Sequence, residues 1–518
     1  MTTPPSERFP DDDLPEGSVV DGTCILHATD DEADFVVVGS GAAGSVAAHT
    51  LTRAGYKVLL VEEGPWIKTR DLTDEVGESF ARMMRDFGLQ VLKGRAYMPL
   101  LQGRCVGGST LVNSAIAWRT PEDVLDDWRA RFGVDIPTAE LDACFDALEA
   151  DLSVREVAPD VLGENNGLFI DTLRARGWEH HTMRRYDNGC EGSGLCLTGC
   201  PKAKKQGMSV TYVPWALRLG ARIYTSCKVD RVDVRGDRAA AVLATAEGGG
   251  KVVLRARHGV LVAASTVRTP NILRRTGVRT RALGKHFQAH PGLALGGQFD
   301  RPIDMKFGAT QGAQSTHFRA SDNFKLETIS MPPELAAARV PGVGHDLMRR
   351  LERLGHTAVW CAQIRAEAEG TVGTSWDGRD KVDYTMTERD MRAARKAVST
   401  IATLMFDAGA REVWPGIFGL PSVITSPDQI RLIDEATLEP QHYNFIVSHL
   451  FGAARMGPDP RAAVCGTDFQ VHGVQGLYVV DSSVFPTNLG VNPQHSIMAL
   501  ARYAAQHIAE TARFRAVG

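Results

Sequence analysis

Apolar positions along the chain fall into short unbroken runs, each followed by a glycine-marked turn or a helical pattern. The run Asp34-Phe35-Val36-Val37-Val38 ends in Gly39-Ser40-Gly41-Ala42-Ala43-Gly44, and helical spacing from Ala43 to Arg53 stops near Gly55. A continuous apolar run bounded by turn residues predicts a strand buried on both faces, as in parallel sheets. Tyr56-Lys57-Val58-Leu59-Leu60-Val61 predicts the next strand, with Glu62 at its tip, and Gly259-Val260-Leu261-Val262-Ala263-Ala264 a third. Residues 221–232 read as paired strands after a short helix. Residues 298–444 differ: polar strands, among them 357–366, alternate with charged helical patterns at 348–353 and 388–392. This predicts an antiparallel sheet covered by helices. On strand 357–366, Trp360, Gln363 and Arg365 are candidate pocket walls, although alternation puts odd and even positions on opposite faces.

The first glycine cluster has a defined chemistry. Gly39 permits a tight turn, Gly41 lets backbone approach a pyrophosphate, and Gly44 lets helix and strand pack closely. Ala42 and Ala43 then begin a helix whose free N–H groups face the phosphates. An acid at Glu62 stands where an adenosine ribose is held. A second cluster, Gly103-Arg104-Cys105-Val106-Gly107-Gly108-Ser109-Thr110-Leu111-Val112-Asn113, predicts backbone lying flat against a planar ring. Gly107 and Gly108 remove side chains from that face, and Ser109 and Asn113 reach its polar edge.

The chain has 518 residues, enough for two or more domains, and a net charge of −4. That charge gives no electrostatic case for nucleic acid or an anionic membrane. No apolar stretch approaches a transmembrane length, and the start lacks the pattern of a signal peptide. A cytoplasmic location is the expectation, and residues 1–33, acidic and proline-containing, read as a loose arm. Three of the nine cysteines, Cys190, Cys196 and Cys200, fall in one glycine-rich loop with spacing C-x5-C-x3-C, followed by Pro201 and by Lys202, Lys204 and Lys205. An odd cysteine count in a cytoplasmic chain argues against a disulfide framework. Glycines between close cysteines turn backbone N–H groups toward bound sulfur, so the loop suits an iron–sulfur cluster. Zinc and plain thiols are the alternatives. Zinc lacks a second cysteine pair nearby.

These motifs resemble, in order and over most of the chain, the glucose–methanol–choline (GMC) oxidoreductases, FAD-dependent enzymes that oxidise alcohols. The likeness continues in residues 265–277, where Thr276 replaces the usual serine, in 283–291, and in 444–457, where Ala453 replaces the usual threonine. It ends in 476–487, containing Asp481, and in 490–501, where Asn492 and Pro493 open the last helix. The resemblance implies an α/β fold: a Rossmann-like FAD-binding domain (34–130, 200–297 and 445–518) and a discontinuous antiparallel-sheet substrate domain (298–444). A helical segment and the cysteine loop (131–199) lie between. It further implies FAD contacts at Gly103, at the backbone of Val229 (adenine), and around Asp481, Asn492 and Pro493.

Alcohol oxidation by a flavin needs a base for the hydroxyl proton while hydride leaves for flavin N5. Imidazole suits that task. His449 is assigned as the base; the resemblance puts Asn492 at the family's second position, histidine or asparagine in different members, where an asparagine holds the substrate oxygen but cannot take a proton near neutral pH. His290 reads as structural, and His495 as facing the core or the flavin edge. The cysteine spacing is similar to that of the iron–sulfur catalytic subunits of bacterial sugar dehydrogenases, with Glu191 where some relatives carry a further cysteine. That likeness implies a 3Fe–4S cluster on Cys190, Cys196 and Cys200. It also implies a sugar-like or polyol substrate, an external electron acceptor, and a small partner subunit. The competing expectation is an oxygen-using alcohol oxidase in which the cysteine loop is structural.

Overall fold

The protein is described here by a computed structural model covering residues 8–517. Two sheets divide it. The first runs in the order Val19–Asp21, Arg222–Thr225, Val58–Val61, Thr29–Val38, Lys251–Val262, Arg238–Ala246, Cys227–Arg235, with Leu477–Val479 also paired to Lys251–Val262. Its apolar central strands are parallel, as their two-sided burial requires. Val38 is in register with Val61 and Val262, and Val262 with Val479. Gly39, Glu62, Ala263 and the Val480–Asp481 pair therefore emerge side by side on the carboxyl edge, where ligands of open α/β sheets bind. Helix Ala42–Arg53 leaves from Gly39 and packs on the last helix, Gln494–Val517. Buried Val46, Ala47, Leu51, Ala501 and Ala505 belong to the same core.

The second sheet is antiparallel: Glu412–Trp414, Gln288–Gln298, Thr357–Ile364, Phe324–Thr328, Ala313–Ser315 and His181–Thr182, with Phe445–Phe451 also on Gln288–Gln298. Helix Glu388–Asp407 covers it, started by a capping box between Thr387 and Asp390. Its buried Met391, Ala394, Val398, Ile401 and Met405 face a separate apolar core.

Two boundaries and one side chain differ from the sequence reading. Residues 8–33 are not a loose arm: Val19–Asp21 adds an edge strand, and the strand through Phe35 already begins at Thr29. Their acids are ion-paired, Asp30 with Arg255 at 3.0 Å and Asp31 with Arg222 at 2.5 Å. The rest of the expected arm, residues 1–7, lies outside the described residues. Gln288–Gln298 and Phe445–Phe451, both assigned to the FAD-binding part save for Gln298, pair with each other and belong to the antiparallel sheet instead. Trp360 is not a pocket wall: it is fully buried against Phe169, and its Nε1 donates to Asn165 Oδ1 at 3.2 Å.

Candidate functional site

The glycine turn at the carboxyl edge is shaped by close backbone contacts. A Cβ on Gly39 would stand 2.4 Å from Ala263 O, and one on Gly44 only 1.8 Å from Gly39 O, so both glycines are needed for strand and helix to meet. Gly41 differs. Its φ of −71° suits any residue, and a Cβ there would meet nothing within 4 Å. The helix it precedes has no side-chain cap. Open space beside an uncapped helix N-terminus fits a bound pyrophosphate. Gly107 and Gly108, at φ of 91° and 53°, pass directly over this turn, and Gly107 N–H donates to Ser40 Oγ at 3.2 Å.

Both acids expected near the cofactor brace the protein. Glu62 Oε2 accepts the N–H and O–H of Ser40 at 2.9 and 2.7 Å, and Oε1 accepts Gly64 N–H at 2.9 Å. Asp481 Oδ2 accepts from Ser265 N–H and Thr269 Oγ1, and Oδ1 from Ser483 N–H. Burial raises the pKa of each, and these donors oppose it. Val229 is buried on the strand that begins just beyond Glu62, at a bulge between Val229 and Arg231. Ser109 Oγ accepts Gly103 N–H at 3.0 Å, and Asn113 Nδ2 pairs with Gln494.

His449 projects from the substrate sheet, and Asn492 lies just before the last helix, with Pro493 O accepting Ile497 N–H at 2.9 Å. The two come together around a buried pair that the sequence did not reveal. Lys325 Nζ donates to Glu327 Oε1 and to Asn492 Oδ1, both at 2.7 Å. Both charged side chains are essentially sealed, at 0% and 1% exposure. Burial depresses the pKa of His449 to about 4, with Glu327 opposing. His290 is more than structural, since its Nδ1 lies 3.4 Å from His449 Nδ1. Its Nε2 accepts Gly490 N–H at 3.0 Å and lies 3.1 Å from Asn488 Oδ1. His495 belongs to the core, between Phe145, Tyr186 and Glu149. Arg365 and Arg319 both pair with Asp123.

Cys190, Cys196 and Cys200 line one small cavity with Arg185, Lys205 and Gly308. Among the described residues, no three His, Cys, Asp or Glu side chains are arranged to hold a metal ion, so neither a zinc ion nor the expected iron–sulfur cluster gains support from their arrangement. The surroundings suit anionic sulfur. Gly192 N–H points at Cys190 Sγ (3.4 Å), Lys205 N–H at Cys200 Sγ (3.3 Å), and Arg185 Nη2 at Cys196 Sγ (3.0 Å). Arg185 Nε and Nη1 are buried without a protein partner. Burial pushes the Cys196 thiol up, but Arg185 and Lys205 outweigh it and the pKa falls below the ordinary thiol value. Lys205 Nζ also donates to the carbonyls of Leu111 (2.6 Å), Asn113 (2.9 Å) and Cys196 (2.7 Å). The cysteine loop is thereby fastened to the segment expected against the planar ring. Of the neighbouring lysines, Lys204 pairs with Glu191 and Lys202 is exposed.

A largely parallel sheet with a glycine turn at its carboxyl edge, joined to a second, antiparallel sheet, is a Rossmann-like α/β frame of the kind that binds a dinucleotide. Residues 33–292 and 367–501 match the models of the amino- and carboxyl-terminal parts of GMC oxidoreductase. The chain belongs to this family. It is similar to the uncharacterized GMC-type oxidoreductase Rv0492c of Mycobacterium tuberculosis, at 34% identity over 90% of this chain and 74% of that protein. A second relative, y4nJ of Sinorhizobium fredii, is 32% identical over 94% and 96% of the two chains. Long-chain-alcohol oxidase FAO1 of Arabidopsis thaliana is 26% identical over 93% and 67%. Formate oxidase of Aspergillus oryzae shares the fold, with a TM-score of 0.72 at 15% identity over 93% of this chain and 98% of that one. The protein is thus an FAD-dependent oxidoreductase for alcohol-type substrates. No helix among the described residues is long and apolar enough to cross a membrane.

Proposed function

We propose that the protein oxidises the CH–OH group of a polar, polyol- or sugar-like alcohol. Cys190, Cys196 and Cys200 would hold an iron–sulfur group, which would supply a route for electrons to an acceptor other than oxygen. FAD, when bound, supplies the hydride acceptor. His449 takes the hydroxyl proton, its ring held beside His290, whose Nδ1 lies 3.4 Å from His449 Nδ1. Asn492 holds the substrate oxygen.

One observation carries the electron-transfer part: three cysteines and two buried cations surround one cavity, and Lys205 ties that cavity to Leu111 and Asn113. A buried arginine with unpaired N–H groups costs about 1–3 kcal/mol for each, which an anionic sulfur group in front of it would offset. The test is anaerobic iron and acid-labile sulfide analysis with EPR, on the wild type and on Cys196→Ser. A three-iron signal lost in the variant, with turnover on a dye acceptor but not on oxygen, supports the reading. FAD without iron or sulfide refutes the cluster. The named oxidases among the relatives favour the second reading, an alcohol oxidase with a structural cysteine loop.

A further inference from the structure

We propose that Lys325 is a positioning residue that fixes the orientation of the Asn492 amide, so that its NH2 group, and not its oxygen, is presented to the substrate oxygen. The inference rests on the assignment of Asn492 to the substrate oxygen. An ammonium group has only donors. Whatever lies within hydrogen-bond distance of it must accept, so the 2.7 Å contact puts Asn492 Oδ1, not Nδ2, against Lys325.

All three N–H bonds of Lys325 have a place. One goes to Asn492, one to Glu327 Oε1, and the third lies toward the face of Trp118, whose ring centre is 5.2 Å from Nζ. Glu327 is held in turn by Gln311 Nε2 on its other oxygen, at 3.0 Å. Lys325 and Glu327 sit two residues apart on Phe324–Thr328, on one face of a central strand, so the pair is as rigid as the sheet. Among the described residues no protein acceptor pairs with Asn492 Nδ2, which leaves that donor for a ligand.

The consequence is chemical. As His449 removes the hydroxyl proton, negative charge grows on the substrate oxygen, and a donor aimed at it binds the transition state better than the alcohol. A freely flipping amide would present its oxygen part of the time and repel the same charge. The ammonium behind Asn492 also polarises the amide in the favourable sense.

Joint neutron and X-ray diffraction of deuterium-exchanged holoenzyme reads the orientation directly. The expected density has three deuterons on Lys325 Nζ, one aimed at Asn492 Oδ1, and both Asn492 amide deuterons turned away from Lys325. An amide nitrogen facing Lys325, or a neutral amine there, overturns the proposal. The kinetic test uses Lys325→Met/Glu327→Met, which removes both charges together and so leaves neither unpaired. Anaerobic flavin reduction is followed with sorbitol, benzyl alcohol and dodecanol as probes. The double variant should retain FAD and keep KM within about threefold, while the reduction rate falls by about tenfold or more. Adding Asn492→Ala to it should slow reduction no further than Asn492→Ala alone. A wild-type rate in the double variant beside a slow Asn492→Ala overturns the role of Lys325. A wild-type rate in Asn492→Ala itself overturns the underlying assignment instead.

Discussion

Gly41→Ala separates what the glycine turn does for the fold from what it does for FAD. A methyl group there meets no protein atom within 4 Å, and the backbone at φ −71° is ordinary. Replacing glycine at a helix N-cap by alanine costs up to about 1 kcal/mol. The stiffer unfolded chain returns about 0.4–1 kcal/mol. The FAD-free protein should therefore keep its Tm. With FAD, the methyl takes the space of the pyrophosphate. Moving the phosphates off two N–H groups forfeits about 1.5–3 kcal/mol for each charge-assisted bond. FAD Kd should rise by about a hundredfold to ten-thousandfold. Gly44→Ala is the contrast: its Cβ would lie 1.8 Å from Gly39 O, so helix and strand must separate and the FAD-free protein itself should lose stability. The assays are flavin fluorescence quenching on titrating FAD into stripped protein, and thermal unfolding by circular dichroism. Wild-type FAD affinity in Gly41→Ala would refute the placement of the pyrophosphate. A Tm loss equal to that of Gly44→Ala would show that the glycine serves the fold.

Glu62→Gln sets an amide NH2 against donors now shared by Ser40 and Gly64, at about 1–3 kcal/mol, so FAD affinity in the same titration should fall by about tenfold or more. Burial holds His449 at about 4, so its proton-accepting form persists as pH falls through 6.5, the ordinary histidine value. The rate constant kcat/KM for flavin reduction should stay level there and fall about tenfold per unit only below about pH 4; an inflection near 6.5 would contradict this. Arg185→Met should lower iron and sulfide content while leaving the iron-free protein as stable or more so, because two unpaired buried N–H groups disappear. Unchanged iron with a lowered Tm would assign Arg185 to packing alone.

Local pattern made the carboxyl edge of the parallel sheet legible, because each central strand is an unbroken apolar run and each turn residue follows directly. The domain edges were not legible in this way. Asp30, Asp31 and Glu32 read as a solvated arm because their arginine partners, Arg255, Arg222 and Arg257, are remote in sequence. Gln288–Gln298 and Phe445–Phe451 both sit next to FAD-side motifs in the chain, yet they pair with each other, and Gln288–Gln298 with Thr357–Ile364, in the antiparallel sheet, and nothing local announces those pairings. Lys325 and Glu327 were hidden for the opposite reason: charges alternating with Phe324, Leu326 and Thr328 imitate a strand with one wet face, whereas both faces are covered.

The misplaced strands change how the site must be understood. His449 is carried by the antiparallel sheet and Asn492 by the segment leading into the last helix, which packs with the first core, so their alignment depends on the seam between the two cores. That seam is stitched by backbone: Gly452 N–H donates to Ser482 O at 3.0 Å, and Ala454 N–H to Ser483 O at 2.9 Å. Two side-chain links lie closer to the chemistry, His290 to Gly490 from the sheet that carries His449 and Lys325 to Asn492 from the same sheet. Both reach the segment just before the last helix, whose first turn rests on Pro493. Hydride and proton transfer tolerate little displacement of the reacting atoms. A buried ion pair is a costly way to gain stability, but a fixed ammonium is a precise way to register one sheet against a residue of the other. The position of Lys325, unremarkable in the sequence, follows from that requirement.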